Sequence, residues 1–196
     1  MSTLAQKLLP VSIADFNIFV ENQADDVVYE LVDGQIVMMT NPNQRHEQIV
    51  SNIGAPLKLA MDKRGCRTYQ GGMRVQISDN VQGIDKTKPD VVVRCGPTDP
   101  VAETRNFITD PFVIVEVLSP TTMDYDRGDK LDFYKLIPTM RHIVIAYQDQ
   151  VRVEHYRRVP GGWEMDALTK GGDKLVLEAV AFQMLVEQIY FDVAMT

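Results

Sequence analysis

Apolar residues recur along this chain with two different periods, and each period predicts one kind of element. They return every three or four positions in the segments 12–20, 44–63 and 128–136, which predicts three amphipathic helices. Ser12 is spaced to cap the first of these helices, and Gly65 is placed to close the second, which contains Pro56. The helices are therefore distributed along the chain, with room for strands between them.

The stretches between the helices carry alternating or continuously apolar runs, which predict strands. The runs 29–32 and 35–39 flank Asp33-Gly34, the two-residue signal of a type I′ hairpin. The run 112–118 is apolar except at Glu116, which is typical of a central strand covered on both faces. Further strands are predicted at 66–70, 73–77, 90–94, 141–147, 151–158, 163–168 and 174–177, with a short helix near the end of 182–193. We therefore predict an α/β fold with a mixed central sheet flanked by helices and extra hairpins.

Length and composition favour one globular domain spanning residues 1–196. The chain has 196 residues, of which 45% are hydrophobic and 24% are charged, and this balance is typical of a folded domain. It has no apolar run near the roughly 20 residues that cross a bilayer, and its first ten residues lack the order of a secretory signal. We expect a cytoplasmic protein without a membrane segment.

The cysteines, histidines and net charge limit the possible chemistry. Cys66 and Cys95 are far apart in sequence, and we expect both to be reduced thiols rather than a disulfide. Three scattered histidines lack the spacing of zinc ligands. The net charge of −7 argues against a protein that coats nucleic acid. An enzyme that meets DNA only at one cleft is still allowed, because local charge sets the field there.

Three charged groups form the main candidate site. Asp90 stands at the head of an apolar run, Glu116 lies inside the central strand, and Lys130 follows on the next helix. If the two strands are neighbours, both carboxylates can converge on one divalent cation, and the ammonium can orient a water or offset charge on a phosphate. The alternative is that Lys130 forms an exposed ion pair with Asp126, four residues earlier on the same helix face. The spacing alone favours the two interpretations equally.

Six motifs occur in an order that resembles a known family. They are Tyr29-Glu-Leu-Val-Asp-Gly34, Pro42 with His46, Pro89-Asp-Val-Val-Val93, Val115-Glu-Val-Leu-Ser-Pro120, Tyr125-Asp-Arg-Gly-Asp-Lys130 and Tyr134. In this order they resemble the Uma-type restriction endonucleases, a domain-of-unknown-function family placed in the PD-(D/E)xK nuclease superfamily. The resemblance runs from about residue 11 to residue 164, and it implies a restriction-endonuclease-like core.

The resemblance also implies roles for individual residues. Asp90 and Glu116 would bind the metal, and the carbonyl of Val117 would be a further ligand. Leu118 stands where the superfamily pattern has lysine, and the resemblance implies that Lys130 takes the lysine role. Two further polar positions, Glu30 and His46, match the family and are expected to reach the same cleft. Without the resemblance, Glu30 would be a hairpin surface acid and His46 a histidine at a helix N-terminus.

The resulting hypothesis is an endonuclease that depends on Mg²⁺ or Mn²⁺ and hydrolyses DNA phosphodiester bonds, with a homodimer expected by analogy. One alternative is a non-catalytic module that keeps the fold to bind DNA or a protein. A nuclease acting on RNA or branched DNA is another.

Overall fold

The structure, a computed structural model, describes residues 11–23, 27–32, 34–39, 42–76, 86–97, 102–118 and 127–195. Within these ranges the α-helices are α1 (Ile13–Glu21), α2 (Gln44–Asp62), α3 (Asp129–Leu136) and α4 (Val186–Ile189). The strands are β1 (Val28–Val32), β2 (Gln35–Met39), β3 (Cys66–Gln70), β4 (Arg74–Gln76), β5 (Lys86–Thr87), β6 (Val91–Cys95), β7 (Phe107–Ile108), β8 (Val113–Leu118), β9 (His142–Tyr147), β10 (Val153–Val159), β11 (Gly162–Leu168), β12 (Lys174–Leu177) and β13 (Phe182–Leu185). Two short 3₁₀ helices cover Ala102–Thr104 and Glu178–Val180.

The six-stranded sheet forms the centre of the fold and has the order β11-β10-β9-β8-β6-β3. Among its described strands β8 and β9 are parallel and the other neighbours are antiparallel, so the sheet is mixed as the sequence predicted. The predicted central strand is β8, whose six residues are all buried. Because β8 lies inside the sheet and is covered on both faces, its sequence can be almost continuously apolar.

A five-stranded sheet with the order β2-β1-β5-β4-β7 is built from strands that precede β8 in the chain, and β12 and β13 form a separate hairpin. The predicted hairpin of β1 and β2 is confirmed, and Gly34 at its turn has a φ of 70°, which glycine adopts readily. Asp33 of that turn lies outside the described residues. The prediction did not include β5 and β7, which have two residues each.

Helices cover both faces of the six-stranded sheet. One core cluster unites buried residues of α2 and α4 with every second residue of β6 and β8, including Val91 and Val115. The other unites α3 with the alternate residues of these strands, including Val92 and Ile114. The side-chain alternation of a strand thus divides the core into an α2 side and an α3 side.

Local signals explain where the first two helices begin. Ser12 caps α1, and its Oγ accepts a hydrogen bond of 3.1 Å from the backbone N–H of Asp15. The amide oxygen of Asn43 caps α2 by accepting from the backbone N–H of His46 at 3.0 Å. In the described ranges, no helix has both the length and the apolar composition that crossing a bilayer requires.

The expectation of two reduced cysteines is wrong. Cys66 and Cys95 are directly paired across the antiparallel strands β3 and β6, with their Cα atoms 4.2 Å apart, and they form a disulfide. A sequence separation of 29 hides this proximity, which arises only when the two strands pair. The disulfide fixes the edge strand β3 to its neighbour at the end far from Asp90.

Candidate active site

The pairing of β6 with β8 brings Asp90 and Glu116 into one region. In the antiparallel register Val91 is opposite Val115, so Asp90, one residue before β6, continues the register opposite Glu116. Glu116 alternates with Ile114 and Leu118, which both belong to the α3-side core, and its side chain therefore points to the same side. The two acids, 26 positions apart in sequence, are brought to neighbouring strands of one sheet.

Asp90 is held by two contacts that use the same oxygen. Its Oδ2 accepts a hydrogen bond of 2.7 Å from the backbone N–H of Val117, the residue after Glu116. The same Oδ2 lies 3.3 Å from Nε2 of His46 in the first turn of α2. The side chain of Asp90 is 21% exposed, so a solvent molecule or an ion can reach it.

Lys130 lies in the interior beside two carboxylates. Its Nζ is 3.0 Å from Oε1 of Glu116 and 3.3 Å from Oε1 of Glu30, and the side chain of Lys130 is only 2% exposed. Oε1 of Glu30 also accepts a hydrogen bond of 2.8 Å from the backbone N–H of Lys88. Helix α3, strand β8 and strand β1 thus each contribute one charged side chain to a buried ionic cluster.

Tyr134 connects this cluster to the five-stranded sheet. Its hydroxyl is 2.6 Å from Oε1 of Glu116 and 2.9 Å from Oγ1 of Thr87, and both Tyr134 and Thr87 are buried. A phenol has one proton, and an ionised carboxylate can only accept, so Tyr134 donates to Glu116 and accepts from Thr87. Tyr134 is one turn after Lys130 on α3, and both side chains therefore meet Glu116 from the same face of the helix.

Two pKa shifts follow from these surroundings. Burial, and then the negative charge of Glu116, raise the pKa of Tyr134 well above its ordinary value, so its hydroxyl stays protonated and remains a donor. Burial by itself lowers the pKa of His46, but the hydrogen bond and charge of Asp90, with a smaller contribution from Glu47, outweigh it and the net pKa is raised. The proton on His46 is thus favoured by the acid that it contacts.

The structure therefore brings together the charged residues that the sequence singled out, in two connected groups. One group is Asp90 with His46, and the other is Glu116 with Lys130 and Glu30; they join where Asp90 contacts the backbone of β8. The alternative of an exposed Lys130 is wrong, because its side chain is buried, and Asp126 lies outside the described residues. Glu30 is likewise buried rather than a surface acid, and only 1% of it is exposed.

The sequence pattern indicated no role for Thr87 or Tyr134, although Tyr134 belongs to the motifs of the resemblance. It also missed Glu154 on β10, which is fully buried and accepts hydrogen bonds from Tyr147 at 2.9 Å and Tyr156 at 3.0 Å. Arg152 pairs with the same carboxylate at 2.9 Å. The sequence of β10 is mostly polar, which is also typical of a solvated strand, so it carried no signal for a buried acid.

The side-chain donors of Asp90 and Glu116 are carboxylate oxygens, the ligand type that hard cations prefer. Among the described residues, no group of three or more His, Cys, Asp and Glu side chains is arranged to hold a metal ion. Mg²⁺ typically needs only one or two carboxylates, with water and substrate oxygens completing its shell. Asp90 and Glu116, on neighbouring strands, supply that number of carboxylates.

A mixed central sheet flanked by helices makes this chain an α/β protein of the restriction-endonuclease-like fold class. The fold is similar to the crystal structure of a protein of the DUF820 family from Anabaena variabilis, which is described as "a putative nuclease". The TM-score is 0.74 with 18% sequence identity, and the match covers 92% of this chain and 98% of that one.

Sequence comparison identifies the family. Residues 13–187 match the family model Uma2, described as "Putative restriction endonuclease", and the chain belongs to this family. It is also similar to two proteins of Synechocystis. Uncharacterized protein slr1290 is 30% identical over 162 residues, which cover 83% of each chain. Uncharacterized protein sll1609 is 27% identical over 130 residues, which cover 66% of this chain and 72% of that one.

Proposed function

We propose that this protein is an endonuclease that depends on Mg²⁺ or Mn²⁺ and hydrolyses phosphodiester bonds of DNA. Membership in the Uma2 family supports nuclease chemistry. The observation that carries the proposal is the buried ammonium of Lys130, 3.0 Å from Glu116 on the strand next to Asp90. This cluster supplies the charges that a PD-(D/E)xK site needs, although Leu118 replaces the usual lysine and is itself buried in the core.

Three groups of the chain would hold the metal: the carboxylates of Asp90 and Glu116 and the backbone carbonyl of Val117. All three offer oxygen ligands, which suit Mg²⁺ and Mn²⁺ better than softer ions. The partial exposure of Asp90 supports access from solvent. When bound, the cation would polarise the scissile phosphate and stabilise the leaving oxygen.

The other residues of the site would orient these ligands and balance their charge. Lys130 would offset negative charge that builds on the phosphate in the transition state, and its contact with Glu116 fixes both groups. Tyr134 would hold Glu116 in one orientation through its 2.6 Å hydrogen bond. His46 would hold Asp90 from the side of α2, and Glu30 would hold Lys130, so neither needs to touch the substrate.

The test is nicking of supercoiled plasmid DNA by the full chain after its metal has been removed. We expect nicking when Mg²⁺ or Mn²⁺ is returned, and a loss on the order of 100-fold or more in Asp90→Asn and Glu116→Gln. Asp62→Asn is the matched control, because Asp62 is an exposed acid that pairs only locally with Lys58. Binding of Mn²⁺, followed by electron paramagnetic resonance, should weaken in the same two variants and not in the control.

Different outcomes separate this proposal from its alternatives. Nicking that persists in Asp90→Asn and Glu116→Gln would refute the assignment of the site. No nicking, together with a thermal stability that is insensitive to metal, would favour a non-catalytic binding module. Parallel reactions with RNA and with branched DNA identify the substrate. We further propose that the protein is cytoplasmic and that it forms a homodimer with one site for each strand. Gel filtration tests the homodimer.

A further inference from the structure

A cavity of about 420 Å³ lies beside the edge strand β3, outside the candidate active site. Its walls come from β3, β6 and the segment 103–110. The side chains that define its chemistry are Arg67, Tyr69, Arg94, Glu103, Arg105 and Phe107. None of these residues has a role in the proposed hydrolysis.

The cavity and Glu116 lie on the same face of the six-stranded sheet. Tyr69 on β3 packs against the α3-side core. This core also contains Ile114 and Leu118, which lie on the same face of β8 as Glu116. Just beyond β3, the backbone N–H of Gly71 donates to the carbonyl of Asp90 at 2.9 Å. At about 3.3 Å per residue, Tyr69 is about 7 Å and Arg67 about 13 Å along the chain from this contact. The cavity therefore begins near Asp90 and extends away from it.

The lining combines positive charge with aromatic surface. The lining contains three guanidiniums, those of Arg67, Arg94 and Arg105, and two carboxylates. Arg67 pairs with Glu103, and Arg94 donates to Asp110 at 2.8 Å. This leaves one net positive charge in a chain whose net charge is −7. The guanidinium of Arg105 lies 5.7 Å from the centroid of the Phe107 ring, a cation–π distance.

The two exposed arginines of the cavity, Arg67 and Arg105, are able to change partners. The side chains of Arg67 and Glu103 are each 44% exposed, and Arg105 is exposed as well. Exposed pairs of this kind contribute little to stability, so their rearrangement around an anion costs little. A phosphate that enters the cavity can therefore recruit guanidiniums without disturbing the fold.

We infer that this cavity binds a nucleotide, with its arginines contacting the phosphate and Tyr69 and Phe107 contacting the base. The volume is in the range of small-molecule sites and exceeds what a phosphate alone would fill. Aromatic rings and guanidinium planes stack on bases, and carboxylates accept hydrogen bonds from base amino groups. The lining thus matches both halves of a nucleotide.

The inference rests on the proposed function, because it assigns the nucleotide to the strand being cut. Duplex DNA advances about 3.4 Å per nucleotide along its helix axis, so about 7 to 13 Å from Asp90 along β3 corresponds to two to four nucleotides of a duplex that is aligned with β3. A free mononucleotide has the same chemistry, and the experiment distinguishes the two sources.

The experiment measures binding of a fluorescently labelled single-stranded oligodeoxynucleotide to the full chain by anisotropy, in EDTA. We expect Tyr69→Ala to weaken binding roughly ten-fold through lost stacking. Arg105→Ala should weaken it several-fold and reduce the slope of log affinity against log salt by about 0.7. Arg105 is exposed, so this variant keeps the fold even if Tyr69→Ala does not. Arg157→Ala is the matched control, because it removes an arginine that pairs with two acids on β11, away from the cavity.

Competition with an unlabelled deoxynucleoside monophosphate separates the two sources. Displacement of the labelled strand at similar nucleotide concentrations supports a site for free nucleotides, and resistance to displacement supports a site for the strand. Affinities that match the Arg157→Ala control in both cavity variants, or no binding by the wild type, overturn the inference. The binding assay contains no metal, so its result does not depend on nuclease activity. Binding that depends on Tyr69 and Arg105 supports the nucleotide site even if plasmid nicking fails. Nicking by the wild type, together with unchanged binding in the two cavity variants, refutes the nucleotide site and leaves the proposed nuclease function intact.

Discussion

Replacing Lys130 with methionine should destabilise the protein by about 3–5 kcal/mol. The substitution keeps most of the length of the side chain and removes the ammonium from between Glu116 and Glu30. Both carboxylates are buried, with 5% and 1% of their residues exposed, so water cannot replace the lost charge. In the variant, the carboxylates of Glu116 and Glu30 lie near one another in a poorly solvated region without that ammonium.

The distances allow the magnitude to be worked out. At 3.0 Å and 3.3 Å from the two carboxylates, and with an effective dielectric constant of about 20, each attraction is worth about 5 kcal/mol. Desolvation of the ammonium offsets several kcal/mol of this gain in the native protein. Removal of one partner from a buried ionic cluster nevertheless takes the nearest countercharge from both carboxylates, which gives the net loss of about 3–5 kcal/mol.

Urea unfolding at pH 7 in EDTA measures this loss, since the chelator prevents a metal from compensating for the missing ammonium. Lys135→Met on the same helix is the matched control. Its partner Asp132 is 79% exposed, and the loss should stay below about 1 kcal/mol. A Lys130→Met variant as stable as this control would refute the reasoning, because Lys130 could not then hold two buried carboxylates.

Two further predictions concern parts of the fold away from the candidate site. His142 lies 2.9 Å from His155, and burial and that neighbour lower the pKa of His142 to about 4. Between pH 6.5 and 4 the unfolded chain then binds a proton that the folded chain excludes, so stability should fall by up to about 3 kcal/mol as the pH drops through this window. Urea unfolding against pH should show a shallower fall in His142→Asn, and an unchanged fall contradicts the assignment. Reduction of the disulfide between Cys66 and Cys95 should lower the free energy of unfolding by about 3–4 kcal/mol. Unfolding with and without dithiothreitol, with thiol titration of the untreated protein, checks this, and two free thiols would contradict it.

Periodicity was sufficient to predict the long elements of the fold. Helix α2 contains enough residues for a period of 3.6 to emerge from the sequence, and strand β8 contains enough for an almost continuous apolar run. Strands β5 and β7 have two residues each, and two residues carry no period. They exist because neighbouring strands supply their hydrogen bonds, which is a tertiary effect that the local sequence does not contain.

The candidate site could likewise be predicted from the sequence only in part. The acids and Lys130 were predicted because a charge within an apolar run needs a partner, and because their order resembles a family. The contact of Glu30 with Lys130 spans 100 positions, and that of Tyr134 with Thr87 spans 47, so neither could be read from spacing. The disulfide was missed for the same reason, since strand pairing alone brings Cys66 beside Cys95.

The different burial of Asp90 and Lys130 decides which variant can identify the active site. Lys130 is 2% exposed and holds two carboxylates, so its removal perturbs both the fold and any chemistry that depends on Glu116. Loss of activity in a Lys130 variant is therefore ambiguous. Asp90 has a side chain that is 21% exposed, and Asn at this position can still accept from the backbone N–H of Val117. Asp90→Asn thus changes the charge offered to a cation while it keeps the local hydrogen bond, and its effect on nicking and on Mn²⁺ binding separates catalysis from folding.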